Sequence, residues 1–395
     1  MHESNPKTKD AEYVVTRRSV IQGAVLAAGS AALLGYPAAP AAASSRPNAT
    51  SGTDEATGLS LTQEWDKTFP RSENVDHRKV TFKNRYGITL AADLYQPKNK
   101  SGRLAAISVS GPFGAVKEQS SGLYAQTMAE RGFVALAFDP SFTGESGGEP
   151  RNVASPDINT EDVSASVDFL GLLPSVDRNR IGAIGICGYS GMALTAATSD
   201  SRIKAVATVS MYDMSRSMSR SYKDSYTREQ RHQVIDYLSQ QRWVDAENGS
   251  YGLGYHEVPF DENGNIIKGQ RVLPESLPEN PDSVLAAFFD YYRTPRGFHP
   301  RGINSTTAWT ATTPMSFFSF PLYANIDMMS ARPILLVAGE NAHSRYYSED
   351  VNRVASEPKE LVIVPNADHV DLYDQLDRIP FDTLTSFFGT HLSST

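Results

Sequence analysis

Arg180-Ile181-Gly182-Ala183-Ile184-Gly185-Ile186-Cys187-Gly188 is an apolar run that passes through a glycine into a turn of small residues, and Met192-Ala193-Leu194-Thr195-Ala196-Ala197 continues it as a helix. A strand that turns sharply into a helix lifts one side chain above the sheet. The small neighbours tolerate the strained backbone, and the amide just after the turn is free to bind a developing negative charge. Cys187, the chain's single cysteine, sits two residues after Gly185, where that geometry puts a nucleophile. The helix N-terminus also favours the thiolate. Ser190, in Gly188-Tyr189-Ser190-Gly191-Met192, is a rival nucleophile three residues further on, and Tyr189 stands where the pattern expects a third small residue.

The flanking sequence places this elbow in a parallel sheet. Val80 to Phe82 and Ile88 to Tyr95 read as an antiparallel pair around Tyr86-Gly87. Leu104 to Val109, Val134 to Phe138, Ile181 to Ile186, Ala205 to Val209, Ile334 to Ala338 and Leu361 to Val364 are short β-rich runs of the kind buried on both faces. Between them Val163, Val167 and Leu170 mark one face of a helix, with Asn159 and Thr160 as its caps, and Ser348-Glu349-Asp350 opens another. The fold class is α/β: a mostly parallel sheet with helices on both faces. The alternation breaks from about 211 to 330, which reads as a helical and irregular cap inserted before the penultimate strand, with a helix from Glu229 to Asp245.

Composition narrows the partners. A chain of 395 residues, 40% hydrophobic and 10% aromatic, with a net charge of −8, has the core of a globular enzyme and no basic surface for nucleic acid. Lone Cys187 rules out an internal disulfide, and the eight histidines lack metal-ligand spacing, so neither a metal nor a cofactor is expected. Arg17-Arg18 precede the apolar Gly23 to Tyr36 stretch and an Ala41-Ala42-Ala43 processing site, the order of a twin-arginine signal peptide. Residues 1–43 are expected to engage the twin-arginine export machinery through Arg17 and Arg18, delivering the protein to the periplasm or the medium. Residues 44–65 read as a flexible linker and 66–395 as the catalytic domain.

The base follows from chain order. His369, in Pro365-Asn366-Ala367-Asp368-His369, lies in the loop after the last strand and is placed to take the nucleophile's proton. Glu340, just beyond the Ile334 to Ala338 run, is the nearest acid, and Asp213 beyond the preceding strand is the alternative. Gly188 supplies one oxyanion-hole amide. The other comes from Ser110-Gly111-Pro112-Phe113-Gly114, where Pro112 has no N–H and Phe113 is the donor.

With these positions set, the chain resembles the dienelactone-hydrolase-like branch of the α/β hydrolases, and more closely the YcjY-type hydrolases related to fungal polyketide transferases. The matching segments are Gly111 to Gln119, Phe138 to Arg151, Gly185 to Leu194, Met211 to Met214, Asp290 to Pro300, Gly339 to Ser344 and His369 to Asp374. The resemblance implies an α/β-hydrolase fold with Cys187 and His369 at the nucleophile and histidine positions, and an activity of hydrolysis or acyl transfer. Tyr189, Tyr291, Tyr292, Arg293 and His299 are candidates for holding a small apolar or aromatic substrate, the last two through a carboxylate. Three functions remain open: hydrolysis of an ester, lactone or thioester, acyl transfer of the polyketide-transferase type, and ligand binding without catalysis.

Overall fold

The computed structural model describes residues 58–393, so the expected signal peptide, Arg17 and Arg18 included, and the first part of the expected linker lie outside the described residues. All eight apolar runs form strands: β1 (Val75–Lys83), β2 (Thr89–Pro97), β3 (Leu104–Ser110), β4 (Val134–Phe138), β5 (Val176–Ile186) and β6 (Ile203–Val209) come first. A two-residue pair follows, β7 (Leu253–Gly254) and β8 (Trp309–Thr310), then β9 (Ile334–Gly339) and β10 (Lys359–Val364). Eight strands make one sheet in the order β1-β2-β4-β3-β5-β6-β9-β10. The first two are antiparallel to each other, β2 is antiparallel to β4, and every later neighbour is parallel.

The order reverses at β3: the chain steps outward to β4, then crosses to β5 on the other side. At such a switch point the loops leaving two adjacent strands diverge and open a crevice at their carboxyl ends. The loops leaving β3 and β5 carry Phe113 and Cys187.

Alternation along the buried strands feeds two cores. Ile107, Val109, Ile184, Ile186, Ala207 and Val337 face one side, covered by helices Ser120–Glu130 and Phe381–His391. Ala106, Ala183, Val206 and Leu336 face the other, covered by helices Pro156–Leu172, Tyr189–Ser199 and Arg345–Val354.

Two helices begin earlier than their sequence signals. Ser155 caps the first, ahead of Pro156, while Asn159 is buried within it and uses its side chain on the Ser155 N–H and on Asp162. Ser344 caps the helix that the Ser348-Glu349-Asp350 acidic cluster suggested. Proline at a first helical position, its φ preset, outranks the later capping candidates.

The expected linker also ends too late, because its last residues pack onto the body. Thr62 N–H donates to Glu145 Oε1 at 2.7 Å, and Trp65 stacks edge-on against Phe69 and His77. Low hydrophobicity in 59–65 concealed an arm held by polar bonds. Between β6 and β9 the chain builds helices Met214–Arg220, Arg228–Asn248, Ser283–Arg293, Ile303–Thr306 and Pro314–Ser319. The longest starts with a capping box in which Thr227 and Gln230 satisfy each other's backbone N–H groups. Among the described residues no helix is long and apolar enough to cross a membrane.

Candidate active site

Cys187 occupies the turn between β5 and helix Tyr189–Ser199 with φ +54°, a left-handed conformation that costs a non-glycine residue roughly 1–2 kcal/mol. Backbone bonds hold it there: its N–H donates to Val209 O at 2.9 Å, and its carbonyl accepts from Ser190 N–H at 3.1 Å and Tyr212 N–H at 3.0 Å. Close packing explains the flanking glycines. A Cβ on Gly185 would lie 2.6 Å from Ser190 Cα, and one on Gly188 would lie 2.6 Å from Phe113 Cβ. Tyr189 needs no such clearance, because its ring points into a cluster with Phe113, Met192 and Trp309. It lies among packing residues.

Burial pushes the Cys187 thiol up to about 11, against hydrogen bonds from the Tyr373 hydroxyl and from the Phe113 and Gly188 amides that pull it down. The residues expected to supply the oxyanion-hole amides are packed together beside this turn, since a Cβ on Gly188 would lie 2.6 Å from Phe113 Cβ. Asn304 holds the Phe113 loop in place, donating Nδ2 to Phe113 O at 2.8 Å and its own N–H to Gly114 O at 3.1 Å.

His369 is buried beside this turn. Its Nε2 lies 2.9 Å from Tyr373 Oη and its Nδ1 lies 2.6 Å from Ser344 Oγ. Burial and the neighbouring His343 hold the imidazole well below its usual range, so it is neutral at pH 7. Phe288 stacks on it with ring centroids 5.4 Å apart, and Tyr212 meets it edge-on at 5.3 Å. Burial also pushes His343 down to about 4, and its Nε2 pairs with the Tyr212 hydroxyl.

Several expected site residues stand elsewhere. Ser190 is fully buried and its hydroxyl donates back to Gly185 O at 2.8 Å, a bond internal to the elbow that turns it away from any substrate. Glu340 is exposed and accepts the Asn366 N–H at 2.9 Å, tying two loops together on the surface, while Ser344 takes the place beside His369 Nδ1. Asp213 caps helix Met214–Arg220 by accepting the Arg216 N–H at 3.0 Å. Both carboxylates lie close in sequence to strand ends, and local backbone donors claim them.

Arg293 donates to Ser305 O. His299 Nδ1 accepts the Arg301 N–H at 3.3 Å, and its Nε2 lies 3.8 Å from Asp66 Oδ2. Both therefore bind the cap loop and the N-terminal arm. Tyr291 packs against Arg296 and Tyr373. Tyr292, fully buried, stands near enough to Cys187 for a thiolate charge to raise its phenol further above a range already raised by burial.

Sequence reasoning passed over Tyr373 and Ser344. The four-residue spacing of His369 and Tyr373, which brings side chains to one face of a helical turn, was the available signal for the first. Nothing marked the second.

A buried ionic cluster lies behind the Phe113 loop. Lys117 Nζ contacts Glu118 Oε1 at 2.7 Å, Asp139 Oδ2 at 2.8 Å and Glu145 Oε2 at 2.6 Å, and Lys79 adds a second ammonium on Glu118 and Glu145. Glu118, Asp139 and Glu145 are close enough together to ligate a cation, and the ammonium of Lys117 already takes that position.

Comparison with known proteins decides the family. The uncharacterized protein PA2218 of Pseudomonas aeruginosa is 58% identical over 99% of this chain and 100% of its own length, and its crystal structure aligns with a TM-score of 0.78 at 62% identity, covering 84% of this chain and 99% of that one. The uncharacterized protein YcjY of Escherichia coli is 34% identical over 75% of this chain and 93% of its own length. The chain belongs to the YcjY-type α/β hydrolases. Residues 86–248 match the X-Pro dipeptidyl-peptidase (S15) family. The crystal structure of the α/β hydrolase GrgF from Penicillium shares the fold of this YcjY-type chain, with a TM-score of 0.65 at 21% identity over 81% of this chain and 100% of that one. A thiohydrolase of Eupenicillium brefeldianum is 31% identical over 34% of this chain and 43% of its own length.

Proposed function

We propose that this YcjY-type protein is an exported hydrolase that cleaves an ester, lactone or thioester through an acyl-Cys187 intermediate. The observation that carries the reading is the strained strand-to-helix turn that holds Cys187 at φ +54°, with Gly188 packed against Phe113 beside it and both amides close enough to pull the thiol down. Those donors serve a transition state best if the carbonyl oxygen of the substrate displaces the sulfur from them as the C–S bond forms. The thiol proton passes toward His369. The tetrahedral intermediate collapses, the leaving group takes that proton, and a water activated by the same imidazole hydrolyses the acyl-enzyme. Phe288 and Tyr212 against the His369 ring, with Tyr292 near the thiol, favour an apolar acyl group. The partial match to a thiohydrolase supports a thioester.

The test compares Cys187→Ala, Ser190→Ala and His369→Ala on p-nitrophenyl butyrate and a short acyl thioester, with mass spectrometry for the adduct. Loss of roughly 10³-fold or more in the first variant, with an acylated wild type, is the expected outcome. Retained activity in Cys187→Ala together with its loss in Ser190→Ala overturns the assignment. Cys187 is only 6% exposed, which favours acyl transfer as a second reading, since a secluded acyl-enzyme resists water. Added alcohols that divert product from acid to ester support transfer. Inactivity across ester and thioester panels supports ligand binding without catalysis. Export is tested by replacing Arg17 and Arg18 with lysine and following the protein's location, which should shift to the cytoplasm.

A further inference from the structure

The link between nucleophile and base is not the direct contact that a two-residue mechanism needs. The Tyr373 hydroxyl is bonded to His369 Nε2 at 2.9 Å and lies close enough to Cys187 for each group to shift the ionisation of the other. A hydroxyl carries one proton and two lone pairs, so it can receive a proton from one neighbour while donating its own to another. Tyr373 is fully buried, with Tyr291 edge-on at 5.0 Å, so bulk water does not compete for these contacts. Its short helix, Asp371–Asp374, is pinned from two directions. Tyr124 Oη donates to Leu372 O at 2.6 Å, and Arg296 grips both oxygens of Asp374 at 2.7 and 2.9 Å.

Taking the acyl-Cys187 reading as given, we infer that Tyr373 is a further catalytic residue, carrying the thiol proton from Cys187 Sγ to His369 Nε2. As the sulfur attacks the acyl carbon, its proton moves to Tyr373 Oη and the Tyr373 proton moves to Nε2. The products of the transfer are a thiolate that becomes the C–S bond, an unchanged phenol and an imidazolium. Collapse of the tetrahedral intermediate reverses the transfer and delivers the proton to the leaving group. The direction requires neutral His369 to keep its proton on Nδ1, and Ser344 Oγ at 2.6 Å is placed to accept that N–H. Because the phenol gives and receives in one motion, it never holds a charge in this dry surrounding.

Tyr373→Phe tests the relay, since it removes the hydroxyl and keeps the ring in its stack. Wild type, Tyr373→Phe, His369→Ala and the double variant are compared in the pre-steady-state burst of p-nitrophenol from p-nitrophenyl butyrate, with circular dichroism to check folding. The burst in Tyr373→Phe should slow by about 100-fold, the order expected for losing a positioned proton carrier. The double variant should be no slower than the slower single one, because the two groups act in series. Wild type should show a curved proton inventory in mixed H₂O and D₂O, two protons being in flight, and Tyr373→Phe should lose the curvature. A burst in Tyr373→Phe within threefold of wild type overturns the relay, as do losses that multiply in the double variant. If wild type forms no acyl-Cys187, the relay falls together with the nucleophile; if wild type acylates and Tyr373→Phe is unaffected, the relay falls alone.

Discussion

Two buried polar regions lie on either side of the Phe113 loop and are built on opposite principles. Behind the loop, Lys117, Lys79, Glu118, Asp139 and Glu145 are all ionisable and held within 2.5–3.2 Å of an opposite charge, with Arg301 adding a contact of 2.9 Å to Glu118. In front of it, Cys187, His369, Ser344, Tyr373 and Tyr292 are equally buried and none carries a charge at neutral pH: burial drives the thiol and phenols up and the imidazole down. The contrast separates two uses of low dielectric. Charges that compensate one another make a rigid scaffold, while neutral groups form a site in which charge appears only during reaction. The scaffold reaches the site through Lys117, whose N–H donates to Asp139 Oδ1 at 2.8 Å a few residues beyond the Phe113 donor.

The contrast breaks most visibly at Lys117. Replacing it with methionine leaves Asp139 without a cation, while Lys79 still reaches Glu118 and Glu145, and should destabilise the protein by about 3–5 kcal/mol in urea unfolding, the cost of removing one partner from a buried ion pair. A loss under 1 kcal/mol would show that the cluster does not brace the fold.

The neutral site makes a prediction about pH. The thiol's folded-state pKa is raised to about 11, so its reactive thiolate is scarce at pH 7 and grows as pH rises. Alkylation of Cys187 by iodoacetamide should accelerate about tenfold per pH unit from 7 toward 10. A rate already level below pH 8 would reveal a thiolate–imidazolium pair instead.

A third test moves one principle into the other region. Ser344→Asp puts a carboxylate against His369 Nδ1 and should raise the imidazole midpoint by about one unit or more, read by nitrogen NMR of the ring. An unchanged midpoint means the new side chain turns away. The smallest effect belongs to Glu340→Gln: its carboxylate is exposed and engaged with Asn366, so kcat/KM on p-nitrophenyl butyrate should stay within about twofold of wild type.

What the sequence revealed depended on the range over which each feature is encoded. Cys187, Gly185 and Gly188 are set by a strand, a turn and a helix within a dozen residues, and Phe113 follows because Pro112 beside it has no N–H to offer. The eight strands were legible because residues buried on both faces must be apolar throughout. Ser344 was not, since its role depends on where the loop after β9 lays it against a histidine 25 residues away. Arg293 and His299 misled for the same reason: their partners, Ser305 and Asp66, are brought to them by the cap and by the arm. Polar residues in 59–65 read as linker because hydropathy does not register bonds such as that from Thr62 to Glu145.

That arm acts as a gasket. Thr62 bonds to Glu145, Asp66 meets Arg301 at 2.6 Å, and Lys67 reaches Asp93 at 2.8 Å, so a few residues close the rim of the ionic cluster against solvent. The protein should therefore fail abruptly on trimming past Lys67, when water enters among charges arranged to do without it.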